Sequence, residues 1–161
     1  MTSFDDDRDN QIAERARRFE AIAPAYGYLV RRVLQEQSEG ERLTIPQFRT
    51  MQTLGQHGVP GATNLDLARR ISVSPPAMTA MIDGLVERDL VTRTTDPDNR
   101  RQVVILLTEL GRERLHAATR AIEERLALGI SHLSEDQVLD LDRGLAALEL
   151  AFGYLLDASE V

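Results

Sequence analysis

The stretch Leu67-Ala68-Arg69-Arg70-Ile71-Ser72-Val73-Ser74-Pro75-Pro76-Ala77-Met78-Thr79 decides the fold. Its first half carries Leu67, Ala68 and Ile71 at helical spacing, opened by Thr63. Ser72-Val73-Ser74 leaves room for only a very short break. Ser74 then suits the N-cap of a following helix. Pro75 and Pro76 suit its first turn, where a missing N–H costs nothing. Met78, Ile82, Leu85 and Val86 supply the inward face of that second helix. Two helices joined by so short a turn predict a helix-turn-helix.

The period changes on the C-terminal side. Leu90-Val91-Thr92-Arg93-Thr94-Thr95 is rich in β-formers, and Asp96-Pro97-Asp98-Asn99 is a turn cluster. Val103, Ile105 and Leu107 alternate on a return strand. A β-hairpin directly after a helix-turn-helix makes a wing. Thr108 caps a further helix, with Leu115, Ala118, Ile122 and Leu126 on its apolar stripe. Ser134-x-x-Gln137 is a capping box for the last helix. There Val138, Leu141, Leu145, Leu148, Phe152 and Leu155 alternate three and four apart, as on a coiled-coil seam.

On the N-terminal side, Thr44-x-x-Gln47 is a second capping box, with Phe48, Met51 and Leu54 inward and Gly55 and Gly58 as stops. Before it, Phe19, Ile22, Tyr26, Leu29 and Val33 mark a first long helix, which Pro24 should kink or restart. Residues 1 to about 10 are polar and expected to be disordered. The expected fold class is mainly α with a small β-wing. A winged helix-turn-helix spans about 44–108, with helices at about 11–38 and 109–157 around it. No internal repeat or linker divides the 161 residues, so one domain is expected.

Composition narrows the function. Without cysteine there is no disulfide framework, thiolate metal site or thiol switch. The longest apolar run, Val103-Val104-Ile105-Leu106-Leu107, is too short to span a bilayer. The acidic start lacks the apolar core of a secretory signal. A soluble cytoplasmic protein with no membrane partner is expected. The net charge of −7 argues against nucleic acid at first sight. Between Thr63 and Thr108, however, six arginines (69, 70, 88, 93, 100, 101) balance six acids, so the rest of the chain carries the whole excess.

The second helix of a helix-turn-helix lies in the major groove with its N-terminal residues nearest the bases. Here these are Ser74, Pro75, Pro76, Ala77 and Thr79, with Ala80 and Asp83 further along. The hydroxyls of Ser74 and Thr79 are donors for phosphates or bases. Ala77, Ala80 and the Thr79 methyl suit thymine methyls. Arg100 and Arg101 at the wing tip suit a narrow, negative minor groove. Enzymatic signals are missing. His57, His116 and His132 have no metal-ligand spacing, and there is no phosphate loop or nucleophile elbow. No catalytic residue, metal or cofactor is expected. Two other readings stay open: a dimeric winged-helix interaction module without DNA binding, and a metal-responsive regulator using histidines and carboxylates.

The stretch quoted first is similar to the helix-turn-helix of the MarR family of regulators. So are Leu85-Val86-Glu87-Arg88-Asp89-Leu90-Val91-Thr92-Arg93, the wing run Asp96-Pro97-Asp98-Asn99-Arg100-Arg101, and Leu107-Thr108-Glu109-Leu110-Gly111. The resemblance covers nearly the whole chain, and the wing run is its most specific part. It implies a homodimeric, non-enzymatic transcription regulator, with repression of a pseudo-palindromic operator in double-stranded DNA relieved by a small phenolic or carboxylate ligand. It assigns DNA contact to Ser74, Pro75, Pro76, Ala77, Thr79 and the wing Arg101 with Arg100. Arg69 and Arg70 would add phosphate attraction. Asp98 would brace the wing, with Arg93 as its partner. The dimer interface would hold the seam Val138, Leu141, Leu145, Leu148, Phe152 and Leu155. A ligand pocket would fall near Tyr26, Tyr28, Arg49 and His57. One departure stands out: where many relatives carry a basic residue in mid-helix, this chain has Ala80 and Gly84.

Overall fold

The elements form in the order α1 (Ser3–Glu36), α2 (Ile45–Gln56), α3 (Asn64–Ile71), α4 (Pro75–Glu87), β1 (Val91–Thr95), β2 (Val103–Leu107), α5 (Glu109–Ile130) and α6 (Glu135–Asp157). They are those of a computed structural model describing residues 3–38, 42–56, 61–96 and 99–157, without the side chains of 3–6 and 155–157. The chain divides into two compact units, 1–122 and 123–161.

Local chemistry sets the helix ends. Thr44 and Gln47 exchange both capping bonds, the Thr44 N–H to Gln47 Oε1 at 3.0 Å and the Gln47 N–H to Thr44 Oγ1 at 3.3 Å. Ser134 and Gln137 repeat the exchange at α6. These bonds satisfy amides that the first turn of a helix leaves without partners. Thr63 caps α3 through the Asp66 N–H, and Ser74 caps α4 through the Ala77 N–H with two prolines behind it.

α3 and α4 end alike, on a residue in the left-handed region. Ser72 has φ 60° and Asp89 φ 54°. At each, two amides fold back onto the last helical turn: Ser72 and Val73 onto the Arg69 and Ala68 carbonyls, Asp89 and Leu90 onto those of Val86 and Leu85. Glycine is the usual residue at this position, because an L side chain is strained there.

The core of the first unit lies between α2, α3, α4 and the hairpin, with the end of α1 over it. Leu67, Met78, Ile82 and Leu85 are fully buried, as are Met51 and Leu34. Each contributes about 1.5–3 kcal/mol relative to an exposed position. The buried Thr50 hydroxyl is satisfied by the Pro46 carbonyl. β1 and β2 pair antiparallel from Val91↔Leu107 to Thr95↔Val103, and Ala62 bridges to Ile105 on the other edge. At the base of the hairpin, Thr108 donates its N–H to the Leu90 carbonyl and its hydroxyl to that of Asp89, while accepting from the Gly111 N–H. A Cβ on Gly111 would run into the Leu90 carbonyl oxygen, so α5 starts this close to the hairpin only with glycine there.

Four expectations need correction. α1 begins at Ser3, within the segment expected to be disordered. It also runs unbroken through Pro24, because the carbonyl that loses its partner lies on an exposed stretch open to water. Val86 is exposed rather than inward, and Leu90, delivered by the turn after α4, is buried instead. On β2 the alternation fails: Val103 is 56% exposed and Val104 is buried. Val103 sits in the pair farthest from the base of the hairpin, where the opposite strand is exposed too.

The stripe on α1 is buried only toward its end. Val30, Val33 and Leu34 are buried, whereas Phe19, Ile22 and Tyr26 are exposed. In the second unit α6 has no buried residue among those described. No helix among the described residues is long and apolar enough to cross a membrane.

Candidate nucleic-acid interface

α4 turns Met78, Ile82 and Leu85 into the core and leaves Ser74, Pro75, Pro76, Ala77, Thr79, Ala80 and Asp83 exposed. All five residues expected at the reading end therefore share the exposed start of one helix. Their polar groups are partly committed within the chain. Ser74 Oγ accepts from the Ala77 N–H, leaving its own proton available. Thr79 donates its proton to the Pro75 carbonyl at 3.0 Å and accepts from Asn64 Nδ2 at 2.9 Å. The Thr79 hydroxyl thus ties α4 to the start of α3, and the donor expected for DNA is already used. Asn64 Oδ1 is buried without a partner among the described residues.

The acidic residue on this face is also committed. Arg93 on β1 reaches Asp83 on α4 at 2.6 Å. Both side chains are well exposed, so the pair adds at most about 1 kcal/mol to stability. Its larger effects are geometric and electrostatic: it links helix to wing, and it neutralises a carboxylate where phosphates would approach. The sequence reading paired Arg93 with Asp98; Asp98 lies outside the described residues, and the partner found is Asp83. Both residues were noticed in the sequence, but nothing local joins a helix to a strand ten residues away.

The wing is braced by its own turn. The Asp96 N–H bonds the Gln102 carbonyl at 2.9 Å, extending the strand ladder by one step. The Gln102 N–H bonds the Asn99 carbonyl, Asn99 Nδ2 bonds Gln102 Oε1, and the Arg101 N–H bonds Asn99 Oδ1. Asp96, Asn99 and Gln102 thus brace the wing turn from its two sides. Arg100 and Arg101 are exposed, and neither is in an ion pair among the described residues. Arg69 and Arg70 are exposed in the last turn of α3, where a positive charge also suits the helix dipole.

Tyr26, Tyr28 and Arg49 are exposed, and His57 lies outside the described residues. A cavity of about 480 Å³ opens elsewhere, between α2, β2 and the start of α5. Leu54, Leu106 and Leu115 give it apolar walls, and Gln52, Arg112 and His116 polar ones. Arg112 is held by Glu109 at 2.6 Å and by the Leu107 carbonyl at 2.9 Å. Of the seam on α6, Val138, Leu145 and Phe152 are exposed, Leu141 and Leu148 are half-buried, and the Leu155 side chain is outside the described set. No cluster of metal-binding side chains occurs among the described residues.

The same order of elements occurs in known proteins. The MarR family model matches residues 43–103. The HTH-type transcriptional regulator Mb0904 of Mycobacterium bovis is 34% identical over 122 residues, 74% of this chain and 82% of its own. The HTH-type transcriptional repressor NicR of Pseudomonas putida is 30% identical over 124 residues, 71% of this chain and 77% of its own. The solved structure of a Staphylococcus aureus MepR mutant bound to an oligodeoxyribonucleotide has the same fold. Its TM-score is 0.62 at 22% identity, over 86% of this chain and 97% of that one.

Proposed function

Because this chain belongs to the MarR family of helix-turn-helix transcriptional regulators, we propose that it acts in the cytoplasm as a homodimeric repressor released from its operator by a small ligand. The observation carrying the DNA-binding part is the exposed start of α4 beside a wing whose two tip arginines are in no ion pair among the described residues. Such a dimer binds a pseudo-palindrome with half-sites about one helical turn apart. Ser74, Pro75, Pro76, Ala77 and Thr79 meet the major groove. Arg100 and Arg101 meet the minor groove, and Arg69 and Arg70 the phosphates. Helices at about 11–38 and 109–157 form the dimer, with the α6 seam at its centre. The repressor part is supported by the name of its relative NicR. The cavity between α2, β2 and α5 supports a ligand with an apolar body and a polar end, the chemistry of a phenol or an aromatic carboxylate.

The test is titration of the purified chain against its own upstream DNA and a scrambled duplex of equal length, at several salt concentrations. The expected result is preferential binding that weakens steeply with salt, because arginines displace condensed counterions. Loss of all DNA binding even at low salt would favour a dimeric interaction module. The net charge of −7 and the absence of a basic residue on α4 are the observations on that side.

A further inference from the structure

We propose that α4 reads its half-site through thymine methyl groups, with little hydrogen bonding to base edges; the proposal rests on the DNA-binding reading above. At 100° per residue, the side of α4 opposite Met78, Ile82 and Leu85 carries Pro76, Ala77, Ala80, Asp83, Gly84 and Glu87, with Thr79 at its flank. Few hydrogen-bonding groups remain there. Asp83 is paired with Arg93. The single Thr79 proton is donated to the Pro75 carbonyl. Glu87 lies in the last turn, far from the end that approaches the bases. Ser74, at the N-cap, commits its oxygen to the Ala77 N–H, so its one proton is the hydroxyl donor that remains at this end.

The rest is apolar: the Pro76 ring, the Ala77 and Ala80 methyls and the methyl of Thr79. The thymine C5-methyl is the apolar group that the major groove presents, so this surface complements thymine best. Gly84, on the same side of α4, leaves bare backbone. A Cβ there would meet nothing within 4 Å, so packing inside the chain does not require glycine. A glycine in mid-helix costs helix stability, and its use here fits a close approach of the DNA to bare backbone. The wing arginines prefer the narrow minor groove of A·T-rich sequence, so both contacts select the same composition.

The experiment uses the full chain and the duplex that it enriches most strongly from a random pool. That duplex is compared with a copy in which 2′-deoxyuridine replaces each half-site thymine, removing only the methyl. Deleting each methyl that α4 touches should weaken binding roughly fourfold. Replacement of half-site purines by 7-deazapurines, which lack the N7 acceptor, should change affinity by less than about twofold. Thr79→Ser keeps the hydroxyl and its bonds. It should weaken binding to the thymine duplex and have no further effect on the deoxyuridine one. Equal affinity for both duplexes, a larger effect from the deazapurines, or an enriched site without half-site thymines would overturn methyl readout while leaving DNA binding intact. Enrichment of no duplex at all would overturn the DNA-binding reading and this inference with it.

Discussion

Residues 45–107 and the helix α6 are both rich in apolar side chains, but only the first region buries them within the chain. Between α2 and β2, Met51, Leu67, Met78, Ile82, Leu85 and Ile105 are all within 1% of full burial. On α6, Val138, Leu145, Leu150 and Phe152 are 37–66% exposed. The first region is stabilised by its own contacts, and neighbouring residues cap the start of α2 and both ends of α3 and α4. α6 has a good cap and a regular seam but no buried residue among those described, so its apolar surface is left open to a partner. On the proposed function, the first region serves DNA contact and α6 serves assembly.

Leu148→Asp attacks the α6 side of this contrast and should have the largest effect. A charge buried at the seam weakens the dimer by about 3 kcal/mol or more. Sedimentation velocity should find monomers at micromolar concentration. A persistent dimer would put the interface elsewhere. Gly111→Ala attacks the other side, forcing α5 away from the Leu90 carbonyl. Its expected cost is about 2–3 kcal/mol in urea unfolding, by overpacking against backbone. An unchanged midpoint would mean that the base of the hairpin is not pinned there.

Arg101→Ala leaves both regions folded and removes one tip charge. Operator affinity should fall about tenfold and the salt slope by about one, with the dimer unchanged. An unaltered titration would remove the wing from the interface. Asp89→Gly sharpens the contrast in the stabilising direction. It relieves left-handed strain at the end of α4, partly offset by the greater freedom of glycine in the unfolded chain, for a net gain of about 0.5 kcal/mol. Dimer affinity should not change; if it does, the winged region is not energetically separate from assembly.

Much of the fold was legible because its signals are short-range. Both capping boxes and the Ser74-Pro75-Pro76 start were read from residues within four positions of one another, the hairpin from two β-forming runs around a turn cluster, and each is present. The site was legible in part. The exposed start of α4 and the wing arginines lie where the sequence placed them. The use of the Thr79 hydroxyl and the pairing of Arg93 with Asp83 were not foreseen, because they join residues 15 and 10 positions apart on different elements. The cavity draws on α2, β2 and α5, three elements that no local pattern relates.

The sequence by itself determined the order of the helices, where most of them start and stop, the placement of a wing after a helix-turn-helix, and the absence of thiol chemistry. These follow from hydrogen bonds and periodicities that span a few residues. Only the tertiary structure decided that Leu90 rather than Val86 enters the core and that Val104 is buried while Val103 is not. It also committed Thr79 to Asn64 and Pro75 and Asp83 to Arg93, while the Ala77 and Ala80 methyls stay exposed. Burial and hydrogen-bond satisfaction depend on which distant segments meet, and a side chain's own period along the helix does not say what its neighbours will already have taken.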